Sequence, residues 1–330
     1  MVSTALTLSP KWTDDLRTYF YPLSQQKHNT DRNSDILQKL KVWNAGKQDI
    51  MVMRDENTVE TLDAYGIPAK DSKKFGDPEK PVMVMFHPNG CTLYSMVPNA
   101  NLFRMMGFQV LLVTIGGYPG SDSKNHTSEI STYQDVNAVK EHLDQLNINK
   151  RAVYGYSMGG SLAGAFVELD PNVKSATFDR TFNKAKDVGY NLLVNNYSPF
   201  FGLGKDVIKG GIDAIFPPDQ HVYGVFHKNK PYLTDGLDTE RKIRSLKDSD
   251  VHIFVIEGKY DNIMGKNLNP TTGYYVENFG NALLNARYGR TDQHMVELDL
   301  GHCSNISDKQ LYPLTRELTK IFFKQKKTKK

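Results

Sequence analysis

Gly155-Tyr156-Ser157-Met158-Gly159-Gly160 is the stretch on which the reading of the chain turns. It follows a short apolar run, Arg151-Ala152-Val153-Tyr154, and precedes small and apolar residues, Ser161 to Val167, that suit a buried helix. A strand, a G-x-S-x-G turn and a helix form the context that a nucleophile elbow requires. The small residues around Ser157 have a steric reason. Strand and helix nearly touch at so sharp a turn, and a side chain on either flank would clash. Three common residues at fixed spacing arise by chance in a chain of this length with a probability of about 0.1. The motif therefore needs support from an acid, a histidine and an oxyanion hole elsewhere.

On both sides of the motif, from residue 81 onward, apolar runs alternate with helical patterns. Residues 82–86 and 108–113 read as strands, and 93–106 as a helix despite Pro98 near its start. Residues 127–146 read as a long amphipathic helix with Ile130, Tyr133, Val136, Val139 and Leu143 on one side. Further strands are expected at 173–178, 251–256 and 295–300, and a last helix over about 308–323. Continuous apolar strands joined by helices argue for a mostly parallel central sheet with helices on both faces. Upstream, 35–46 reads as a helix capped by Ser34, and 49–53 with 59–66 as a hairpin turning at Asp55-Glu56-Asn57. The alternation breaks over about 180–247, a stretch rich in Tyr, Phe, Gly and Pro. It is read as a cap insertion over the carboxyl ends of the strands, where such sheets bind ligands.

The composition bounds the function. With 330 residues, 39% hydrophobic and 24% charged, the chain is long and apolar enough to bury a large core. Removing the five lysines of the tail 324–330 from a net charge of +4 leaves −1, so no broad basic face for nucleic acid is expected. The two cysteines, Cys91 and Cys303, make neither a disulfide framework nor a zinc site by spacing, and read as reduced structural thiols. No metal and no cofactor are expected. The stretch MVSTALTLSPKWTDD lacks a basic region followed by an apolar one, so no secretory signal is expected, and no apolar run reaches membrane-spanning length. A cytoplasmic or peripheral-membrane location follows, with the sequons at Asn125 and Asn305 read as chance matches. The lysine tail is a candidate contact for an anionic membrane surface, each lysine there being worth about 1 kcal/mol.

A serine hydroxyl needs a base to attack at neutral pH. Of the nine histidines, His302 stands out. It follows the last expected strand in Asp299-Leu300-Gly301-His302-Cys303, where Gly301 lets the chain turn back over the sheet toward the elbow. Asp261, in Gly258-Lys259-Tyr260-Asp261 after the preceding strand, is the candidate acid that would hold the imidazole tautomer. Asp179, at the end of the strand before that, is the alternative acid. An oxyanion hole needs two backbone donors aimed at developing charge. The amide of Met158, directly after the serine, is one candidate. The loop Phe86-His87-Pro88-Asn89-Gly90-Cys91 supplies the other. Pro88 has no N–H, so Asn89 is the better donor and Gly90 the reserve, with His87 bracing the loop.

FHPNG after one strand, GYSMGG after a later one, then GKYD and GHC, together resemble the α/β-hydrolase superfamily over about residues 48–323. The likeness is strongest to the branch with an FHGNAG-type oxyanion loop, which includes acyl-protein thioesterases and depalmitoylases. The NPNG-type loop of the Chlamydia CHLPS proteins and SidB-like bacterial effectors is also similar, which adds delivery into a host cell as an expectation. The resemblance implies a triad of Ser157, Asp261 and His302, an oxyanion hole of the Asn89 and Met158 amides, and a small-molecule, lipid or acylated-protein substrate. It divides the chain into an N-terminal extension, 1–47, and a hydrolase domain, 48–330, that carries the cap and the tail. Phospholipase or lysophospholipase activity, and a non-catalytic binding role on the same fold, are the alternatives. Pro88 where the family has glycine, TIGGYPGSD in place of DYRGYGxS, and an extra segment at 271–293 depart from the pattern.

Overall fold

The computed structural model describes residues 34–122, 127–189, 205–216, 219–261, 263 and 293–323. The first 33 residues, the lysine tail, the sequon at Asn125 and most of the extra segment at 271–293 lie outside the described residues.

Helix α1 (Ser34–Val42) precedes the hairpin of β1 (Gly46–Met53) and β2 (Val59–Ile67). Next come β3 (Val82–Phe86), α2 (Val97–Met105), β4 (Gln109–Val113), α3 (Glu129–Gln145), β5 (Arg151–Tyr156), α4 (Met158–Leu169) and β6 (Val173–Asp179). An insertion then carries α5 (Lys205–Ile215), the hairpin β7 (His221–His227) and β8 (Lys230–Leu233), and α6 (Thr239–Ser245). Strand β9 (His252–Gly258), β10 (Gln293–Leu298) and α7 (Tyr312–Phe322) close the described chain. Eight strands form one sheet in the order β1-β2-β4-β3-β5-β6-β9-β10. Only β2 runs against its neighbours; every pairing from β4 to β10 is parallel.

The apolar runs are continuous because both faces of the sheet are covered. All five residues of β3 and all five of β4 are buried. Alternate side chains enter two separate cores. Val84, Phe86, Val113, Val153 and Phe178 meet α3, α4 and the insertion on one face. Met83, Met85, Leu112, Tyr154 and Phe254 meet α1, α2 and α7 on the other. Edge strand β1 shows the opposite pattern, with Ile50 and Val52 buried and Met51 and Met53 exposed, as expected where one face meets water.

The first helix ends at Val42 instead of 46, the last begins at Tyr312 instead of 308, and three further elements differ from the sequence-based expectation. Residues 93–106 are not one helix: a 3-10 turn, Leu93–Met96, leads into α2, and Pro98 sits in the first turn of α2, where its missing N–H costs nothing. The last strand ends at Leu298, which pairs with Gly258, so the turn toward His302 starts earlier. The β7–β8 hairpin has no counterpart in the sequence reading; β7 packs against α3 and α4. There Tyr232 meets Tyr133 edge to face at 5.0 Å, Ser161 Oγ donates to the Leu237 carbonyl, and the buried Lys242 ammonium donates to Tyr133 Oη and Asp235. The described part of the insertion is thus anchored on the helical layer.

Candidate active site

Ser157 stands between β5 and α4 with φ 53° and ψ −118°, a left-handed conformation that L side chains rarely adopt. Neighbouring groups hold it there. Its N–H donates to the Asp179 carbonyl at 2.9 Å, and its own carbonyl accepts from Gly160 N–H and Thr181 Oγ1. The turn is tight enough to exclude side chains on three positions. A Cβ on Gly155 would lie 2.1 Å from the Gly159 carbonyl oxygen, one on Gly159 2.2 Å from that of Phe86, and one on Gly160 2.3 Å from Thr181 Oγ1. The glycines of the GYSMGG motif are required by close approach of backbone to backbone and to Thr181.

His302 reaches the serine from the loop after β10. Its Nε2 lies 3.0 Å from Ser157 Oγ, and its Nδ1 lies 2.8 Å from Asp261 Oδ2. Asp261 Oδ1 accepts the Ile263 N–H at 3.0 Å, while Oδ2 faces the imidazole. All three side chains are buried, with Ser157 5% exposed, Asp261 7% and His302 8%. The structure thus brings Ser157, Asp261 and His302 together and leaves the alternative acid, Asp179, out of this line of contacts.

Asp179 is placed elsewhere. Its carboxylate faces the Arg180 guanidinium, with Nε on Oδ1 at 2.7 Å and Nη2 on Oδ2 at 3.0 Å, and it also accepts the Tyr154 hydroxyl. Burial alone would lower the Arg180 pKa, but the hydrogen bonds and charge of Asp179 more than offset it and raise it. Arg180 was not singled out by sequence. A charged pair closing a buried strand was its one signal.

The loop after β3 carries the candidate oxyanion donor. Asn89 Oδ1 accepts the Gly90 N–H at 2.9 Å and the Tyr118 hydroxyl. His87 is 1% exposed; its Nε2 accepts the Ile115 N–H at 3.2 Å. That fixes the proton on Nδ1, which donates to the Pro88 carbonyl at 2.8 Å. Burial lowers the His87 pKa to about 4, so the ring is neutral at pH 7 and braces the loop. The departure TIGGYPGSD therefore has a structural consequence, since Ile115 and Tyr118 hold His87 and Asn89. That loop is itself tied to α3, because Gly116 N–H donates to Asp135 Oδ2 at 2.7 Å. On the other side, Met158 opens α4, so its amide is a first-turn N–H with no partner inside the helix.

Cys91 is half-buried, Cys303 is exposed, and both are free thiols. Among the described residues no helix is long and apolar enough to cross a membrane.

A family model described as alpha/beta hydrolase fold matches residues 81–219. No curated protein matches the chain by sequence. Among solved structures, the chain is similar to an alpha-beta hydrolase from Vibrio vulnificus at 17% identity and a TM-score of 0.62, over 95% of this chain and 94% of that one. It is also similar to an esterase from Pyrococcus furiosus at 15% identity and a TM-score of 0.55, over 86% of this chain and 92% of that one. Strand order, helices on both faces and these likenesses agree: the chain has the α/β-hydrolase fold.

Proposed function

We propose that the protein is a serine hydrolase that cleaves acyl esters or thioesters through an acyl-enzyme. The observation that carries this reading is the line of contacts from Ser157 Oγ to His302 Nε2 at 3.0 Å and from His302 Nδ1 to Asp261 Oδ2 at 2.8 Å. Ser157 Oγ attacks the acyl carbonyl carbon while its proton passes to His302 Nε2. Asp261 accepts the Nδ1 proton in a hydrogen bond and stabilises the imidazolium. The amides of Met158 and Asn89 receive the oxyanion. The leaving alcohol or thiol takes the proton from His302. Water, deprotonated in turn by His302, then releases the acid and restores the serine. The name of the Pyrococcus furiosus neighbour, an esterase, is consistent with this chemistry.

Labelling by a fluorophosphonate tests the nucleophile. Wild type is expected to label and Ser157→Ala is not; equal labelling of both would remove Ser157 from the role. A panel of esters, thioesters and lysophospholipids of graded chain length then assigns the acyl donor, including the thioesterase and phospholipase readings. Contact of the lysine tail with anionic membranes rests on its charge alone. Flotation with phosphatidylserine vesicles should weaken when residues 324–330 are deleted, and unchanged flotation would dispose of it.

A further inference from the structure

We propose that Arg180, held by Asp179, is a positioning residue for His302, fixing the imidazole over Ser157 through the backbone of the histidine loop. The inference rests on the serine-hydrolase reading above and adds to it a residue that touches neither substrate nor the reacting atoms.

Three observations carry it. First, one guanidinium nitrogen gathers the histidine loop. Arg180 Nη1 lies 2.6 Å from the Ser304 carbonyl oxygen, 2.9 Å from that of His302 and 3.1 Å from that of Gly301. Its two N–H groups are shared among carbonyls that span the turn bearing His302. Second, the other two guanidinium nitrogens are committed to Asp179 in a bidentate pair, both partners buried. Such a fork fixes the plane of the guanidinium, which a lysine ammonium cannot do. Third, the Arg180 backbone is itself in the left-handed region, at φ 44°. A bulky residue persists there only where the surroundings over-determine it. Its N–H is drawn to the Ile256 carbonyl at 2.7 Å, so the strained backbone is pinned to β9.

The site is coupled to this clamp a second time. Tyr156, beside the serine, donates its hydroxyl to the same His302 carbonyl, and its ring lies under the Arg180 guanidinium at 4.4 Å. The Tyr156 and His302 rings are 5.7 Å apart. The serine-bearing strand and the histidine loop are thereby registered to one another through Arg180 and Tyr156. Their relative position sets the distance from Nε2 to Oγ.

The test combines Arg180→Ala, Arg180→Lys and Asp179→Asn with two kinds of readout. Misplacing a catalytic group by about 1 Å costs on the order of 10²-fold in rate. Arg180→Ala is therefore expected to lower kcat on an activated ester by roughly that factor with KM little changed. Millimolar guanidinium should restore much of it, whereas methylammonium at the same ionic strength should not. A purely structural role would lower the melting temperature without this kcat loss or its chemical rescue. Arg180→Lys keeps the charge but loses the fork, and should sit between wild type and Arg180→Ala; wild-type kcat in Arg180→Lys would overturn the proposal even if Arg180→Ala does not fold. Asp179→Asn should lose about tenfold; a loss near the 10⁴-fold expected for a triad acid would make Asp179 that acid and overturn the assignment. The second readout does not depend on turnover. The Nδ1 proton between His302 and Asp261 should give a downfield NMR resonance in wild type that disappears in Arg180→Ala and returns with guanidinium. If wild type does not label with fluorophosphonate but the resonance behaves this way, the hydrolase reading fails and the positioning role stands. A resonance unchanged in Arg180→Ala refutes the positioning role.

Discussion

Gly159→Ala separates catalytic geometry from stability more sharply than any substitution of the three contact residues. The added Cβ would lie 2.2 Å from the Phe86 carbonyl oxygen, 2.7 Å from Phe86 C and 2.9 Å from the His87 carbonyl oxygen. None of these is the movable end of a side chain. All belong to the backbone that leaves β3 and leads to Asn89. Reaching ordinary van der Waals separation requires α4 and this backbone to part by about 1 Å. Overpacking of this kind costs about 1–3 kcal/mol, while replacing a helical glycine by alanine returns about 1 kcal/mol. The net loss of stability is therefore small, about 0–2 kcal/mol. The rate is affected differently, because the strain opens the gap between the Met158 amide and the loop of Asn89. A shift of that size in an aligned site costs on the order of 10²-fold. The assay is the second-order rate of fluorophosphonate labelling beside a urea melt. Gly164→Ala, in the same helix, is the control: its Cβ would meet the Lys242 side chain at 3.3 Å, away from β3. Labelling of Gly159→Ala at the wild-type rate would refute the claim that the approach of α4 to β3 sets the oxyanion geometry.

Three further outcomes are expected. Ser157→Gly should be more stable than Ser157→Ala by about 1 kcal/mol or more, because only glycine adopts φ 53° without strain; equal melting temperatures would show the elbow to be unstrained. Burial lowers the His87 pKa from 6.5 to about 4. Its stabilising contribution is present above pH 6.5 and is lost as pH falls toward 4, so the stability difference between wild type and His87→Gln should shrink by about 3 kcal/mol over that window, and a constant difference would refute the burial account. Glu129 behaves in the opposite sense. Burial, with the nearby Asp235 charge, raises it above the usual carboxylate range, although Oε1 accepts the N–H groups of Asp235, Gly236 and Leu237, bonds that favour its anion. Its contribution is present below pH 4.5 and is lost as pH rises, so Glu129→Gln should gain stability over wild type at pH 8 and not at pH 4, as read by denaturant melts at both pH values.

The parallel core was legible because strands buried on both faces must be apolar throughout, and 82–86 and 108–113 show this without reference to any partner. The meeting of Ser157, Asp261 and His302 was legible because parallel strands bring their carboxyl ends to the same side of the sheet. What could not be read depends on partners distant in sequence. Arg151 looks like a blemish in an apolar run, yet it is buried against Asp170 and Asp144 at 2.6 Å each. Lys242 sits in a polar stretch of sequence, yet its ammonium is buried on Tyr133 Oη, 109 positions away, at 2.8 Å. Tyr133 itself was counted as an apolar position on α3, and its hydroxyl donates to Asp235 in the same cluster. Burial of a charge is decided by whether a counter-charge arrives through the fold, and no local pattern records that.

The same principle distinguishes the two carboxylates near the site. Asp179 and Asp261 leave neighbouring strands at the same end of the sheet, with Asp179 in register with Ile256 on β9. Position alone does not choose between them. Charge does. Both oxygens of Asp179 are taken up by a buried guanidinium, and freeing it would strand that charge at a cost of about 3–5 kcal/mol. Asp261 instead accepts the Ile263 N–H on Oδ1 and faces the imidazole with Oδ2. In the proposed mechanism its negative charge answers the positive charge that develops on the imidazole. Gly258 is where the arrangement converges, since a Cβ there would lie 2.6 Å from the Leu300 carbonyl oxygen, 3.2 Å from Asp261 Cβ and 3.4 Å from Arg180 Cδ. One missing side chain at the end of β9 lets Asp261, Arg180 and the histidine loop pack against one another. Arg180 thereby does two things at once: it withdraws the first carboxylate from competition, and it holds the loop that presents His302 to the second.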